Sequence, residues 1–415
     1  MMKKNIFPLI IFLGTLIYSQ PEFSGHYQNW ISVRTLEEND LMLLRNRFRL
    51  NTKIDEEMIR LFVSLDFKED ETSLGTEFEM SIREAYVDLF FDHSEFRIGK
   101  QQVVWGKADG VFINDIVCPL DMRQFLLQDM DEIRMAIPMV KSNFYVGSWT
   151  VEGVWIPKFE PWLFAEEGSD WAFSIMELPD STEVGNLPIS KNDEILPKAI
   201  LKNSEWGIKI SGLIGRLDIT ILYLDSFSDV FFYESTFDLV QGQVNFTPKT
   251  QRTSMTGLNF STPILGHVLR GEWGYFSDKV FHVQDSLFAP ITSISDYFQG
   301  MVGVDISGPF GVGISVQGIT QRILDYSETM IDDEVTNMAT LMVNGKFLRD
   351  TASARLLTIY DLNDEAGFVN LDLGYQWTDA LNFSLGGYWL WGPSDSIFGQ
   401  FDGNDNVYVK VKYSF

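Results

Sequence analysis

The sequence predicts an all-β protein, a transmembrane antiparallel β-barrel of about 18 strands (16 the alternative) with one loop folded inward. Three observations carry that expectation. Apolar and polar residues alternate with a period of two in segment after segment, each long enough to cross a bilayer as a tilted strand. Short and long connections take turns along the chain, as periplasmic turns and outer loops do. The chain ends on Val407, Val409, Val411, Tyr413 and Phe415, apolar at every second position.

The N-terminus reads as a signal peptide over 1–20. Lys3 and Lys4 precede an apolar run at 6–17, too short to span a membrane, and polar sequence follows Gln20. The barrel is expected over 21–415. Along 41–54, Met42, Leu44, Phe48, Leu50 and Ile54 share one face, and Arg45, Arg47, Arg49 and Asn51 the other. Along 58–68, Ile59, Leu61, Val63, Leu65 and Phe67 alternate with Arg60, Ser64, Asp66 and Lys68. The pattern returns at 207–213, 216–224, 268–276, 302–307, 312–317, 339–347, 367–377 and 381–391. A soluble sandwich would alternate too, so the connections decide. Short ones fall at 55–57, 92–94, 147–148, 212–215, 263–266, 307–310, 349–351 and 379–380. Long ones fall at 69–77, 105–134, 158–203, 226–249, 277–295, 324–336 and 393–403. An even count needs a hairpin at Gly147 and Ser148; without it the tally is odd and the short/long alternation loses phase.

Composition agrees. The chain has 415 residues, 45% hydrophobic and 14% aromatic, with 32 basic against 58 acidic residues and a net charge of −26. The apolar content excludes a disordered chain. The acidic balance argues against nucleic-acid binding, and the long apolar runs of a helical membrane bundle are missing. The single cysteine, Cys118, excludes an internal disulfide. His26, His93, His267 and His282 are scattered without metal-ligand spacing, so neither a metal site nor a cofactor is expected. Trp105, Trp149, Trp155, Trp162, Trp377, Trp389 and Trp391 fall near strand ends, as interfacial belts would place them.

The alternation assigns Arg45, Arg47, Arg49, Arg60, Arg83, Arg97, Lys209, Arg270, Lys346, Lys410 and Lys412 to the lumen, with Asp66, Glu84, Asp88, Asp218, Glu272, Asp305 and Asp372. That is 11 basic against 7 acidic residues, a mildly cationic interior. The negative excess then falls in loops, above all 158–203 with Glu160, Glu166, Glu167, Asp170, Glu177, Asp180, Glu183, Asp193 and Glu194. Such carboxylates suit divalent cations bridging to lipopolysaccharide, but no EF-hand spacing occurs, and a solvated face explains them equally. The ladder Arg45, Arg47, Arg49 places three guanidiniums about 7 Å apart. It either favours anionic solutes or pairs with carboxylates such as Asp66, Glu84, Asp121 or Glu132.

The segment 105–137 departs from the strand rhythm. It carries Lys107, Asp109, Asp115, Asp121, Arg123, Asp129, Asp131, Glu132 and Arg134 among apolar residues. It is too charged for lipid and too apolar for a solvated loop, so it is expected to fold into the lumen as a constriction; a hairpin tip on the rim is the alternative. The loop 158–203 is expected to stay outside.

The runs REAYVDLFF at 83–91, RIGKQQVVWGKADG at 97–110, CPLDMRQF at 118–125, EIRMAIP at 132–138 and VWIPKFEP at 154–161 resemble an uncharacterised family of Gram-negative outer-membrane barrels, domain of unknown function 1302. More distantly the chain resembles alginate-export and other substrate-specific porins. The resemblance implies a barrel and a role in moving lipid-like or other hydrophobic compounds, and it names no substrate. Cys118-Pro119 stands where the family carries Asn-Pro, so Cys118 reads as a packing residue. The terminal strand ending in Phe415 resembles the signal read by the barrel-assembly machinery.

The functional expectation is a channel moving small or lipid-like solutes across the outer membrane, with weak anion preference. No nucleophile, base and orienting group fall together, so no catalytic residue is expected. A surface receptor or adhesin is the alternative, using Trp162, Phe164, Trp171 and Phe173 of the long outer loop. A homo-oligomer is compatible with either reading.

Overall fold

The computed structural model describes residues 20–35, 40–174, 187–283 and 291–415. The expected signal peptide falls outside the described residues except for Gln20, and so do Glu177, Asp180 and Glu183.

In chain order the strands are β1 (Glu22–Arg34), β2 (Leu41–Glu56), β3 (Ile59–Thr72), β4 (Gly75–Phe91), β5 (Ser94–Gln101), β6 (Ile137–Val146), β7 (Trp149–Ile156), β8 (Ile189–Lys191), β9 (Glu205–Ile214), β10 (Leu217–Phe227), β11 (Phe232–Asp238), β12 (Gln243–Lys249), β13 (Arg252–Ile264), β14 (His267–Val283), β15 (Ile291–Ser307), β16 (Gly313–Ile323), β17 (Val335–Phe347), β18 (Ala352–Asp361), β19 (Ala366–Gln376), β20 (Leu381–Trp391) and β21 (Asn406–Ser414). Eighteen of them pair in one antiparallel sheet, closed where β1 meets β21. Gly25 and Phe415 exchange both backbone hydrogen bonds across that seam at 3.0 Å. Closure leaves no unpaired edge, the condition for a sheet in lipid. β8, β11 and β12 form a separate small sheet within the long outer connections.

The count of 18 rests on the β6–β7 hairpin, and that hairpin is present. Its turn uses Gly147 at φ 61°, a left-handed conformation that glycine adopts without Cβ strain. The outer face is apolar and exposed along alternate positions, as in Tyr27 and Ile31 of β1, Ile208 and Ile210 of β9, and Val407 and Val409 of β21. Phe415 stacks on Phe48 at 5.9 Å between centroids.

Three expected connections need correction. The stretch 69–77 is strand up to a turn at Ser73 and Leu74, because Asp70 and Glu77 still pair in register. The stretch 277–295 is largely filled by the extended ends of β14 and β15, and 226–249 holds β11 and β12. Charge on both faces disfavours lipid but not a hairpin in water. Two tryptophans also leave the expected belts: Trp105 is 3% exposed inside the barrel, and Trp162 donates its ring N–H to Asp229 at 3.0 Å.

Candidate functional site

Between β5 and β6 the residues 102–136 leave the wall and cross the lumen, as the sequence predicts. An apolar anchor starts the crossing. Val103, Trp105, Val117 and Cys118 pack on Ile137, Met139, Val154, Ile156, Leu222, Leu224 and Met255 from the wall. Cys118 is therefore a packing residue. Its Sγ accepts from Val103 N at 3.2 Å, and burial pushes its thiol up to about 12.

Glu272 of β14 holds the first bend. Fully buried, it accepts backbone N–H groups from Lys107, Ala108 and Asn114. Asn114 Nδ2 donates to Asn259 Oδ1 at 2.5 Å, and Asn259 Nδ2 donates to the Trp105 carbonyl at 2.9 Å. Arg270 pairs with Asp109, which also accepts from Ser315 and Gln317. Lys107 reaches Asp218 at 3.0 Å, and Asp115 pairs with Arg134 at 2.5 Å.

On the opposite wall the partners are arginines. A single helical turn, α1 (Met130–Ile133), presents Glu132. Glu132 takes two hydrogen bonds from Arg49, both at 2.8 Å, and one from Arg83 at 2.5 Å, with Arg47 at 3.2 Å. Burial alone would raise this carboxyl; the Arg49 hydrogen bond and the Arg47, Arg83 and Arg49 charges outweigh it and hold it at about 2. Asp129 is half-buried, and against the desolvation this brings, the charge and hydrogen bond of Lys410 at 2.8 Å keep it below the usual carboxylate range.

The arginine ladder is therefore mostly paired. Arg45 makes two bonds to Asp70, at 2.8 and 2.7 Å, and Arg49 two to Asp66, at 2.6 and 2.5 Å. Two of the expected partners differ. Asp121 instead binds Arg123 at 2.7 Å, and Glu84 accepts the Gln102 backbone N–H at 3.0 Å. Of the remaining expected lumen residues, Arg97 pairs with Asp88 at 2.6 Å, Arg60 with Asp55 at 2.7 Å near the short-turn end, and Lys209 with Glu152 at 3.3 Å, whereas Lys346 and Lys412 are exposed.

Arg83 and Glu84 are consecutive, yet both contact the crossing segment. The β3–β4 register slips between Ser64 and Leu65, leaving Arg83 as the extra residue of a bulge. A bulge aims neighbouring side chains to one side. The interior also holds charges beyond those expected, among them Lys68 and Lys100. Asp70, Glu79, Glu95 and Glu152 face the interior as well, through bonds to Arg45, Lys68, Asn143 and Lys209. Asp70 was legible in the sequence, since it continues the face of Asp66 and Lys68 by one more step of two.

The crossing divides the lumen unequally. Under β18–β21 and β1 the space is closed by an apolar cluster of Trp30, Phe125, Trp171, Phe173, Phe398, Phe401 and Tyr408 with wall residues Leu357, Ile359 and Phe368. Phe125 stands against Phe173 at 5.0 Å and Phe401 at 5.3 Å. Trp171 and Phe173, expected to present an outer contact patch, are 2% and 6% exposed and serve this seal. Beside β2–β5, among the described residues, lie two adjoining cavities. The outer one, about 350 Å³, is bounded by Asp70, Glu77, Glu166 and Asp170 among others. The inner one, about 250 Å³, lies against Arg47, Ser81, Arg83 and Glu132. Lys68, Asp121, Arg123 and Gln128 line both.

A closed 18-strand barrel with a charged segment across its lumen is a porin-type outer-membrane fold. The chain belongs to the family described as "Protein of unknown function (DUF1302)", whose model matches residues 37–337. It is similar in fold to Pseudomonas aeruginosa OccK2 (OpdF), with a TM-score of 0.52 at 10% identity over 95% of this chain and 98% of that one. Acinetobacter baumannii OccAB2 gives 0.53 at 9% identity over the same shares, 95% and 98%. No curated protein matches the chain.

Proposed function

We propose that this protein is an outer-membrane channel for small polar solutes, with its passage between the crossing segment and the β2–β5 wall. The observation that carries this reading is the pair of adjoining cavities on that wall, set against an apolar seal on the far side. Barrels of this strand number are wide enough for an aqueous path, and an inward loop sets its bore. The segment is held by paired charges and buried hydrogen bonds, so it constricts as a fixed part.

The polar walls favour hydrophilic solutes over the lipid-like compounds that the family resemblance implies. The apolar residues of the lumen are spent packing on one another. The receptor or adhesin alternative loses its aromatic patch to the same seal. The exposed apolar outer face fits contact with outer-membrane lipid and lipopolysaccharide, and the paired terminal strand fits handling by the barrel-assembly machinery.

Planar-bilayer recording of the refolded chain tests the reading. Stable conductance steps are expected, and they should grow when residues 115–131 are replaced by a short glycine-serine linker. Absence of conductance in both proteins would overturn the channel.

A further inference from the structure

The closed belt of strands changes height abruptly between β4 and β5. β4 pairs with β3 over nearly its whole length, from Gly75 opposite Thr72 to Leu89 opposite Ile59. With β5 it pairs only from Ala85 opposite Lys100 to Phe91 opposite Ser94. Among the described residues no strand covers the other side of residues 75–84. A strand side left open in hydrocarbon would strand its backbone groups, so this step in the rim lies where polar groups reach it, at the level of lipid head groups. Its outward side chains are nevertheless apolar: Phe78, Met80 and Ile82 are 67%, 65% and 49% exposed. They adjoin the lipid-facing band, since Met80 stands opposite Phe67, and Phe67 meets Phe48 at 6.1 Å.

The step gives the inner cavity a side mouth. Ile82 borders that cavity although it belongs to the outward row of β4. Lys100 borders it too, although it follows the exposed Ile98 by two positions on the outward face of β5. Both thus share the cavity with Arg47 and Glu132, which face inward. Among the described residues Lys100 has no partner, and Glu160, also on the border, meets only Lys158, at 3.9 Å. The remaining charges on the border are held in ion pairs no longer than 3.2 Å. A cavity open to head groups therefore offers the cation of Lys100 and the anion of Glu160, with an apolar row outside it. We propose that this mouth binds a zwitterionic single-chain phospholipid, its phosphate on Lys100, its ammonium on Glu160 and its chain along Ile82, Met80 and Phe78. The opposite charges select a zwitterion over a purely anionic head. One row of side chains, spaced at every second position of a strand, takes one chain. The site goes beyond the solute path and stands whether or not the lumen conducts.

The probe is a phosphocholine lipid with one acyl chain and a photoactivated diazirine midway along it. The refolded full chain in maltoside micelles is irradiated with this probe, and the cross-links are mapped by mass spectrometry. Labelling should concentrate at residues 78–82 over the outward faces of β16–β18. Lys100→Glu should lower the label at 78–82 by about 10-fold, the scale of one charged contact, and leave β16–β18 unchanged. Glu160→Gln should lower it likewise, and it keeps the test open if the first variant misfolds. An alkyl phosphate carrying the same chain and diazirine lacks the ammonium, so it should respond to Lys100→Glu and not to Glu160→Gln. Label spread evenly around the barrel would overturn the site, as would label at 78–82 that is unchanged in both variants. An alkyl phosphate that responds to Glu160→Gln would overturn the zwitterion.

Discussion

Glu132 and Arg49 meet through two parallel hydrogen bonds of 2.8 Å, one from each terminal nitrogen to each carboxylate oxygen. The two residues lie 83 positions apart, and their union fixes the crossing segment to the wall. A bidentate pair of this kind sets orientation as well as distance. Because Arg47 and Arg83 lean on the same carboxylate, Glu132 is the point where the segment is most easily released.

Glu132→Gln should loosen the segment. Removing one partner of a buried ion pair costs about 3–5 kcal/mol; here Arg47 and Arg83 lose their carboxylate while Arg49 keeps Asp66. Hydrogen exchange should speed up across residues 102–136 while the barrel strands keep their protection. Uniform exchange in both regions would show that the segment does not depend on this carboxylate.

The same pair gives a pH dependence. The folded Glu132 carboxyl sits at about 2 against an ordinary 4.5. With the folded value depressed, the stabilisation is complete above about 4.5 and is lost as pH falls through 2. Channel currents should therefore remain quiet down to about pH 3 and become noisy and larger near pH 2. Onset of that change near pH 5 would contradict the pairing.

Glu272→Leu removes the acceptor of three backbone N–H groups and leaves them buried. Each orphaned donor costs about 1–3 kcal/mol. Thermal unfolding should start several degrees lower, and protease should cut near 107–114 in the variant alone.

Trp171→Ala opens the apolar seal. Truncating a buried tryptophan costs about 3–5 kcal/mol. The expected result is a larger conductance with leakage of apolar dyes that the natural chain excludes. Dye passage through the natural chain would instead restore the lipid-like solute as the cargo.

Cys118 reports on docking. Its buried thiol, at about 12, should resist maleimide at pH 7 because only the thiolate reacts well. Labelling should become fast in Glu132→Gln, and equal slow labelling of both proteins would place the segment's hold at the apolar anchor instead.

Strand number, closure and the inward and outward faces were legible along the chain. They follow from local alternation, and lipid leaves the backbone few other solutions. The break at 105–137 was visible for the same reason, since its charges suit neither lipid nor free solvent. Outer hairpins such as β3–β4 were read too short, because alternation with charge on both faces looks like loop. The pairing of the lumen was beyond sequence reading. Which carboxylate meets which arginine depends on register and on a segment returning from 83 residues away. The β4 bulge that turns both Arg83 and Glu84 inward depends on one inserted residue in the ladder. The sequence by itself determined a barrel with an arginine row and a misfit segment. Only the tertiary structure decided that Arg45 and Arg49 each meet a carboxylate of the neighbouring strand, while Arg47, set opposite Lys68, meets Glu132 of the crossing segment at 3.2 Å. The reason is physical: charge balance inside a barrel is settled between strands and across the lumen, at distances the order of residues does not encode.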